Sequence, residues 1–326
     1  MIGKTFFLSV VWFFTFIDCA AAQPAQQSKV PRIGVILPGG PLYGTVEGLR
    51  QGLKELGLQE GKQYTLTIKD TKGDIKAATQ AAKTLEQEKI DLIYAMTIMA
   101  SAAAKDSTSN IPIVFSVGSD PVAAGLVDSF ARPGGRLTGI HYLAKDLTEK
   151  RLEILKQMLP KLGRIAIFFD PNEPVSAESA ELARKEAKRL GLKVVEHPVS
   201  SVAELRSRLE ALKAGDADAY FYTATTLVVG HAQLMIDAAR AKKLPTMFQD
   251  QSLVTQGGLA SYGQNYFEIG RLSAKYVQKV LSGTPPKDLK IDTLENVELV
   301  INLQTAKQLG VTIPPQLLAR AQKVIK

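Results

Sequence analysis

The 326-residue chain contains one cysteine, Cys19, one tryptophan, Trp12, and only three histidines. Both single residues fall in an apolar leader, so once that leader is removed no disulfide can form and the fold must rest on its cores. His141, His197 and His231 lie outside metal-ligand spacing of one another, so no zinc site or other metal is expected. Nucleophile and phosphate motifs are missing too. GGLASYG at 257–263 comes near G-x-S-x-G, but Gly258 stands one place too far from Ser261. GLQEGKQ at 57–63 lacks P-loop glycine spacing and has Gln63 where Ser or Thr would be needed. No G-x-G-x-x-G follows the first strand pattern, and no cofactor is expected. The net charge of +8 has no focus: its densest run, RKEAKR at 184–189, is broken by Glu186 on a helical pattern and reads as a solvated face. No nucleic-acid partner is therefore expected.

What is present begins with MIGKTFFLSVVWFFTFIDCAAAQPA. A basic start at Lys4, an apolar run from Thr5 to Ile17 and the small residues Ala20 to Ala22 form a secretory signal peptide over residues 1–22, cleaved before Gln23. The run is too short to span a bilayer comfortably. Asp18 in front of Cys19 disfavours lipidation, so the expected location is the periplasm as a free protein.

From Pro31 onward apolar strands alternate with amphipathic helices, the pattern of βαβ units and a parallel sheet. RIGVIL, YTLTIKD, DLIYAM, IPIVFSV and LTGIHYL complete a first set, and RIAIFFD, KVVEHPV, ADAYFYT, PTMFQD and LASYG form a second. Asp146 is expected to cap the helix that opens the second set, and Ser201 with Glu204 forms a capping box. One long helix is expected from about Thr226 to Lys243. In FSVGSDP, Asp120 and Pro121 predict another helix start, with Val122, Leu126, Val127 and Phe130 on its core side. The simplest architecture is α/β, with two Rossmann-like lobes, each built on its own parallel sheet.

In open parallel sheets ligands sit beyond the carboxyl ends of the strands. Those ends carry hydroxyls, small residues and a few carboxylates, which hydrogen-bond well and react poorly. Gly40, Thr97, Ser116, Val117, Thr223, Thr226, Asp250 and Tyr262 are the candidate ligand-binding residues, and no catalytic residue is assigned. Tyr266 could join Tyr262 in stacking on a ligand. Thr97 and the FSVGSDP loop are expected to grip the ligand's most polar end through helix N-termini, with Thr223, Thr226 and Asp250 closing from the other side. Asp170 and Asp250 at strand ends leave a secreted hydrolase as one alternative; a ligand-sensing module for a membrane receptor is another.

LGLQEGK, IPIVFSVGSDPVAAGLVDSFARPGGRLTG, KRLEILKQMLP, GGLASYG and ELVINLQTAKQLGVTIPPQLLARA together resemble the ABC-transporter substrate-binding protein family of the tryptophan/tyrosine type. The resemblance runs from about Arg32 to the end. It implies a type I periplasmic-binding-protein fold with a hinge of three crossovers, at Gly139 to Leu143, Leu259 to Gln264 and Lys290 to Glu298. Lobe 1 would then comprise residues 31–140 plus 263–290, and lobe 2 residues 143–260 plus 298–326. It also implies a monomer that delivers a small-molecule ligand to an inner-membrane ABC permease with a cytoplasmic ATPase. In one respect the chain departs from the pattern. Where many amino-acid binders have an acidic residue or Asn after the central strand of the second lobe, this chain has TATT at 223–226, which cannot neutralise an ammonium group. Asp250 becomes the remaining candidate for holding a cation.

Overall fold

Strands form where apolar runs are covered on both faces, and the burial along each strand reports its place in a sheet. The computed structural model describes residues 1–2, 29–142, 144 and 147–326. The expected signal peptide with Cys19 and the expected cap Asp146 lie outside the described residues. β1 (Arg32–Leu37), β3 (Leu92–Met96), β4 (Ile113–Val117) and β5 (Leu137–Tyr142) are buried almost throughout, as parallel strands between two helical layers must be. β2 (Thr65–Asp70) is only half-buried along its length and lies at the sheet edge.

The second set repeats the scheme. β6 (Arg164–Phe169), β8 (Ala219–Phe221), β9 (Thr246–Phe248) and β10 (Ala260–Gly263) are central, and the partly exposed β7 (Lys193–Pro198) is an edge. Three short strands complete the count: β11 (Asp292–Leu294), β12 (Glu298–Asn302) and β13 (Lys323–Ile325). The first sheet has the order β11-β5-β4-β3-β1-β2 and is parallel throughout. The second has the order β13-β12-β10-β9-β8-β6-β7, and its one antiparallel pairing is β10 with β12.

Three passages join the sheets. The chain leaves β5 at Tyr142 for the helix Thr148–Met158, leaves β10 at Gly263 for the helix Tyr266–Leu281, and runs from Leu294 to Glu298 between β11 and β12. The helix Tyr266–Leu281 packs back along the helix Tyr43–Glu55 beside the first sheet. A continuous apolar cluster extends from one sheet to the other through Leu42, Tyr142, Ala144, Tyr222, Val229 and Tyr266.

Two helix expectations are corrected. Asp120 accepts hydrogen bonds from Val122 N (2.8 Å) and Ala123 N (3.2 Å) as a cap should, yet Pro121 to Gly125 form turns and no helix follows. Gly125 adopts φ +67° and ends the turn after Ala124 N and Leu126 N have bonded back to Asp120 O and Pro121 O. Leu126 and Val127 still reach the core, so the apolar pattern was read correctly and the backbone wrongly. The long helix expected from Thr226 is two, Thr226–Gly230 and Ala232–Ala241, broken at His231. The Ser201 cap accepts from Glu204 N at 3.2 Å, while the Glu204 carboxylate reaches back to Ser200 N at 2.8 Å.

Candidate functional site

The carboxyl ends of β3, β4, β5, β6, β8 and β9 converge on the space between the sheets. There they line a small cavity of about 50 Å³, so a ligand larger than a few waters enters only as the two sheets part. Tyr142 from the first passage, Tyr222 beyond β8 and Tyr266 at the head of its helix supply aromatic wall. The Tyr142 and Tyr266 rings meet edge to face at 5.9 Å. Gln249 donates its amide nitrogen to the Tyr266 hydroxyl, which leaves Gln249 Oε1 buried without a partner. Leu42, Ile98, Val175 and Val229 add apolar surface.

One carboxylate faces this space. Glu173 holds the N-cap position of the helix Pro174–Arg189, but its side chain makes no cap. It turns to the loop after β8, where Oε2 accepts from Thr226 N (2.8 Å) and Thr225 Oγ1 (3.2 Å), and Oε1 accepts from Thr226 Oγ1. These bonds leave acceptor capacity on Oε1. Burial raises the carboxyl above its ordinary value, and the hydrogen bonds from Thr226 and Thr225 oppose that shift. A cationic group in the cavity would favour the charged form.

Thr97 meets the cavity from the other lobe with φ +81° and ψ +157°, a region essentially reserved for glycine. Its hydroxyl accepts from Ala100 N at 3.3 Å and caps the helix Ile98–Ser107. Residues that persist in such strain cluster at ligand sites.

Of the residues expected from sequence, Thr97 and Thr226 line the cavity. Ser116 and Val117 do not: both are buried within β4, Val117 in the core, and the next two residues, Gly118 and Ser119, line it instead. Thr223 donates to Phe168 O at 2.8 Å inside the second lobe, and the residues after it, Ala224 to Thr226, reach the cavity. Asp250 caps the helix Gln251–Thr255 through Ser252 N (2.8 Å) and sits behind the cavity, while its neighbour Gln249 lines it. Burial pushes the Asp250 carboxyl up to about 6. Tyr262 packs partly buried against the second lobe's core, and Tyr266 takes the place expected for it. Gly40 lies at the rim.

The acid that the TATT segment lacks comes from Glu173 in the adjacent loop, so Asp250 is not the cavity's carboxylate. Sequence reasoning stopped at Asp170 and Asn172, one residue short, and nothing local marks Glu173 as paired with a loop more than fifty positions away. Asp170 lines only an outer groove, where it accepts from Ser200 Oγ at 2.9 Å, and Asp250 is not on that groove either. The two carboxylates of the hydrolase alternative therefore share no cavity.

The rim shows how closely the lobes approach. A Cβ on Gly40 would lie 2.1 Å from Val229 O, one on Gly73 2.6 Å from Thr226 O, and one on Gly230 2.6 Å from Pro38 O. Backbone meets backbone across the cleft, an arrangement open only to glycine.

The family model described as ABC transporter substrate binding protein matches residues 32–325. A tyrosine-binding protein of Clostridioides difficile (strain R20291) is 29% identical over 264 residues, 81% of this chain and 75% of that protein. Among solved structures, an ABC domain in complex with L-Trp from Streptococcus pneumonia has 25% identity and a TM-score of 0.80, with 91% of this chain and 100% of that one covered. A ligand-free, open substrate binding protein with adhesive properties from Clostridium difficile has 26% identity at the same coverage, but a TM-score of 0.60. At nearly equal identity and coverage, the chain as a whole superposes more closely on the L-Trp complex than on the ligand-free, open form.

Proposed function

Because the chain belongs to the ABC transporter substrate binding protein family, we propose that it captures a small zwitterionic amino acid with an aromatic side chain for an ABC importer. The observation that carries this reading is the cavity itself: a tyrosine-walled space with one carboxylate, Glu173, set among threonine donors. The aromatic walls suit a flat apolar side chain, by edge or face contacts worth about 0.5–1.5 kcal/mol per ring pair beyond the area buried. Glu173 accepts the ligand ammonium. Two of the relatives, a tyrosine-binding protein and an ABC domain in complex with L-Trp, support the same ligand class.

In this reading the two lobes form a hinged trap. The chain bends where it passes between the sheets, among the described residues at 263–266 and 294–298, the ligand binds one lobe first, and closure brings the other lobe onto it. The loaded protein then docks on an inner-membrane permease driven by a cytoplasmic ATPase. The chain acts outside the cytoplasm after removal of its leader, so N-terminal sequencing of the exported protein begins near Gln23. Among the described residues, no helix is long and apolar enough to cross a membrane.

Titration calorimetry with L-tyrosine, L-tryptophan and L-phenylalanine, with L-alanine and L-glutamate as comparators, tests the ligand class. Saturating aromatic amino acid at about one hundred times its Kd stabilises the fold by roughly 2.7 kcal/mol. Absence of binding by all three aromatic amino acids overturns the reading.

A further inference from the structure

Arg151, on the helix Thr148–Met158, is among the largest fully buried side chains of the protein. Its Nη2 donates to Ala144 O at 2.9 Å and to Thr148 Oγ1 at 3.1 Å. Nε and Nη1 are buried without partners, and among the described residues no carboxylate pairs with the guanidinium. An unneutralised buried cation is costly, because its lost hydration is not replaced. Folds rarely keep one without a counter-charge.

The surroundings of Arg151 point to where that counter-charge belongs. Ala144, whose carbonyl it holds, lines the ligand cavity. Tyr222 and Tyr266, two of the tyrosine walls, interact electrostatically with the guanidinium, and the Tyr222 hydroxyl is itself buried without a partner. Burial lowers the guanidinium to about 10, still far above neutral, so the charge is present. The cavity wall at Ala144 and Tyr222 is thus backed by a positive charge without a counter-charge among the described residues and by an unpartnered hydroxyl, and Glu173 supplies a negative charge in the same lining.

We propose that Arg151 is a specificity-determining residue for the ligand's carboxylate, supplying from behind Ala144 and Tyr222 the positive potential that an anionic group in the cavity neutralises. This rests on the amino-acid reading of the cavity and adds the second half of the zwitterion to it. The residue acts through the cavity wall, so its signature is discrimination between ligands, and total affinity is a poor guide to it.

The experiment compares L-tyrosine with tyramine, which lacks the carboxylate, and with L-tyrosinamide, which replaces it by a neutral amide. Calorimetry is run on the wild-type protein, Arg151→Lys and Arg151→Met, with thermal unfolding of each to establish that it is folded. Wild type should prefer L-tyrosine over both analogues by about 10- to 150-fold, the worth of the hydrogen bond that the Tyr222 hydroxyl, in the field of Arg151, would give a carboxylate. Arg151→Lys should retain most of that ratio, and Arg151→Met should bring it close to one. A folded Arg151→Met that keeps the wild-type ratio refutes the assignment and leaves the amino-acid reading standing. Wild type that binds L-tyrosine and L-tyrosinamide equally refutes it whether or not the variants fold. If wild type binds neither L-tyrosine nor L-tryptophan, the amino-acid reading falls and takes this inference with it.

Discussion

Gly230→Ala separates closure from ligand contact. Gly230 ends the helix Thr226–Gly230 at an ordinary negative-φ conformation, so alanine fits its own backbone. Across the cleft, a Cβ there would lie 2.6 Å from Pro38 O, 2.7 Å from Lys72 C and 2.9 Å from Gly73 N, all on the first lobe and all backbone. To restore contact at about 3.4 Å the lobes must part by roughly 0.8 Å, a gap that forfeits about a quarter to a half of the dispersion energy of each contact across it. Overpacking of this kind costs about 1–3 kcal/mol, here charged only to the closed state. Since apparent affinity scales with the fraction able to close, Kd should rise by about 5- to 150-fold. The unliganded open protein gains by the same change, by about 0.4–1 kcal/mol, because alanine restricts the unfolded chain. Calorimetry with L-tyrosine or L-tryptophan, thermal unfolding without ligand, and solution scattering at saturation read the three effects. The expected set is weaker binding, equal or higher unliganded Tm, and a smaller ligand-induced fall in radius of gyration than wild type shows. Wild-type affinity with full compaction refutes the glycine contact as the closed-state interface. Weaker binding accompanied by a lower unliganded Tm refutes the reasoning too, because the damage would then lie within a lobe.

Glu173→Gln removes the only carboxylate that lines the cavity among the described residues while keeping its size; affinity for L-tyrosine should fall by about 10- to 150-fold by calorimetry, and affinity for a deaminated analogue should change much less. Thr97→Gly relieves a φ of +81° at the loss of a hydroxyl cap, so unliganded stability in urea should rise by about 1–2 kcal/mol while ligand affinity drops. Asp250 sets a pH dependence: its folded carboxyl is raised from 3.8 to about 6, so its contribution to stability is fully present below about pH 4 and is lost as pH rises through 6. The loss is on the order of 3 kcal/mol, and the fall in stability between pH 4 and 6 should be shallower in Asp250→Asn, measured by urea unfolding across that range.

Much of the fold was legible because the relevant signals are local. A buried parallel strand needs a short apolar run, its helix needs an apolar stripe, and the restart at RIAIFFD after a complete first set marks a second sheet. The same locality produced the error at Asp120, where a sound cap and a suitable proline are followed by Gly125, and the cap closes a turn instead of a helix. Within the site, Thr97 and Thr226 were readable as strand-end hydroxyls. Ser116, Thr223 and Asp250 lie one or two positions from residues that line the cavity, and the side chains of Thr223 and Asp250 are taken up by hydrogen bonds inside their own lobe.

Alternating apolar periods therefore determined by themselves that this chain builds two α/β halves, each on a largely parallel sheet. Each such period is satisfied within a few residues or by the neighbouring strand. Only the tertiary structure decided that Glu173 joins Thr225 and Thr226, that tyrosines from three separate segments wall one cavity, and that Arg151 is buried beside its Ala144 wall with Nε and Nη1 unpartnered. It also decided that Gly40, Gly73 and Gly230 meet the opposite lobe's backbone. Those relations lie between segments that no local pattern connects, and they exist only once the two sheets meet at the carboxyl ends of their strands.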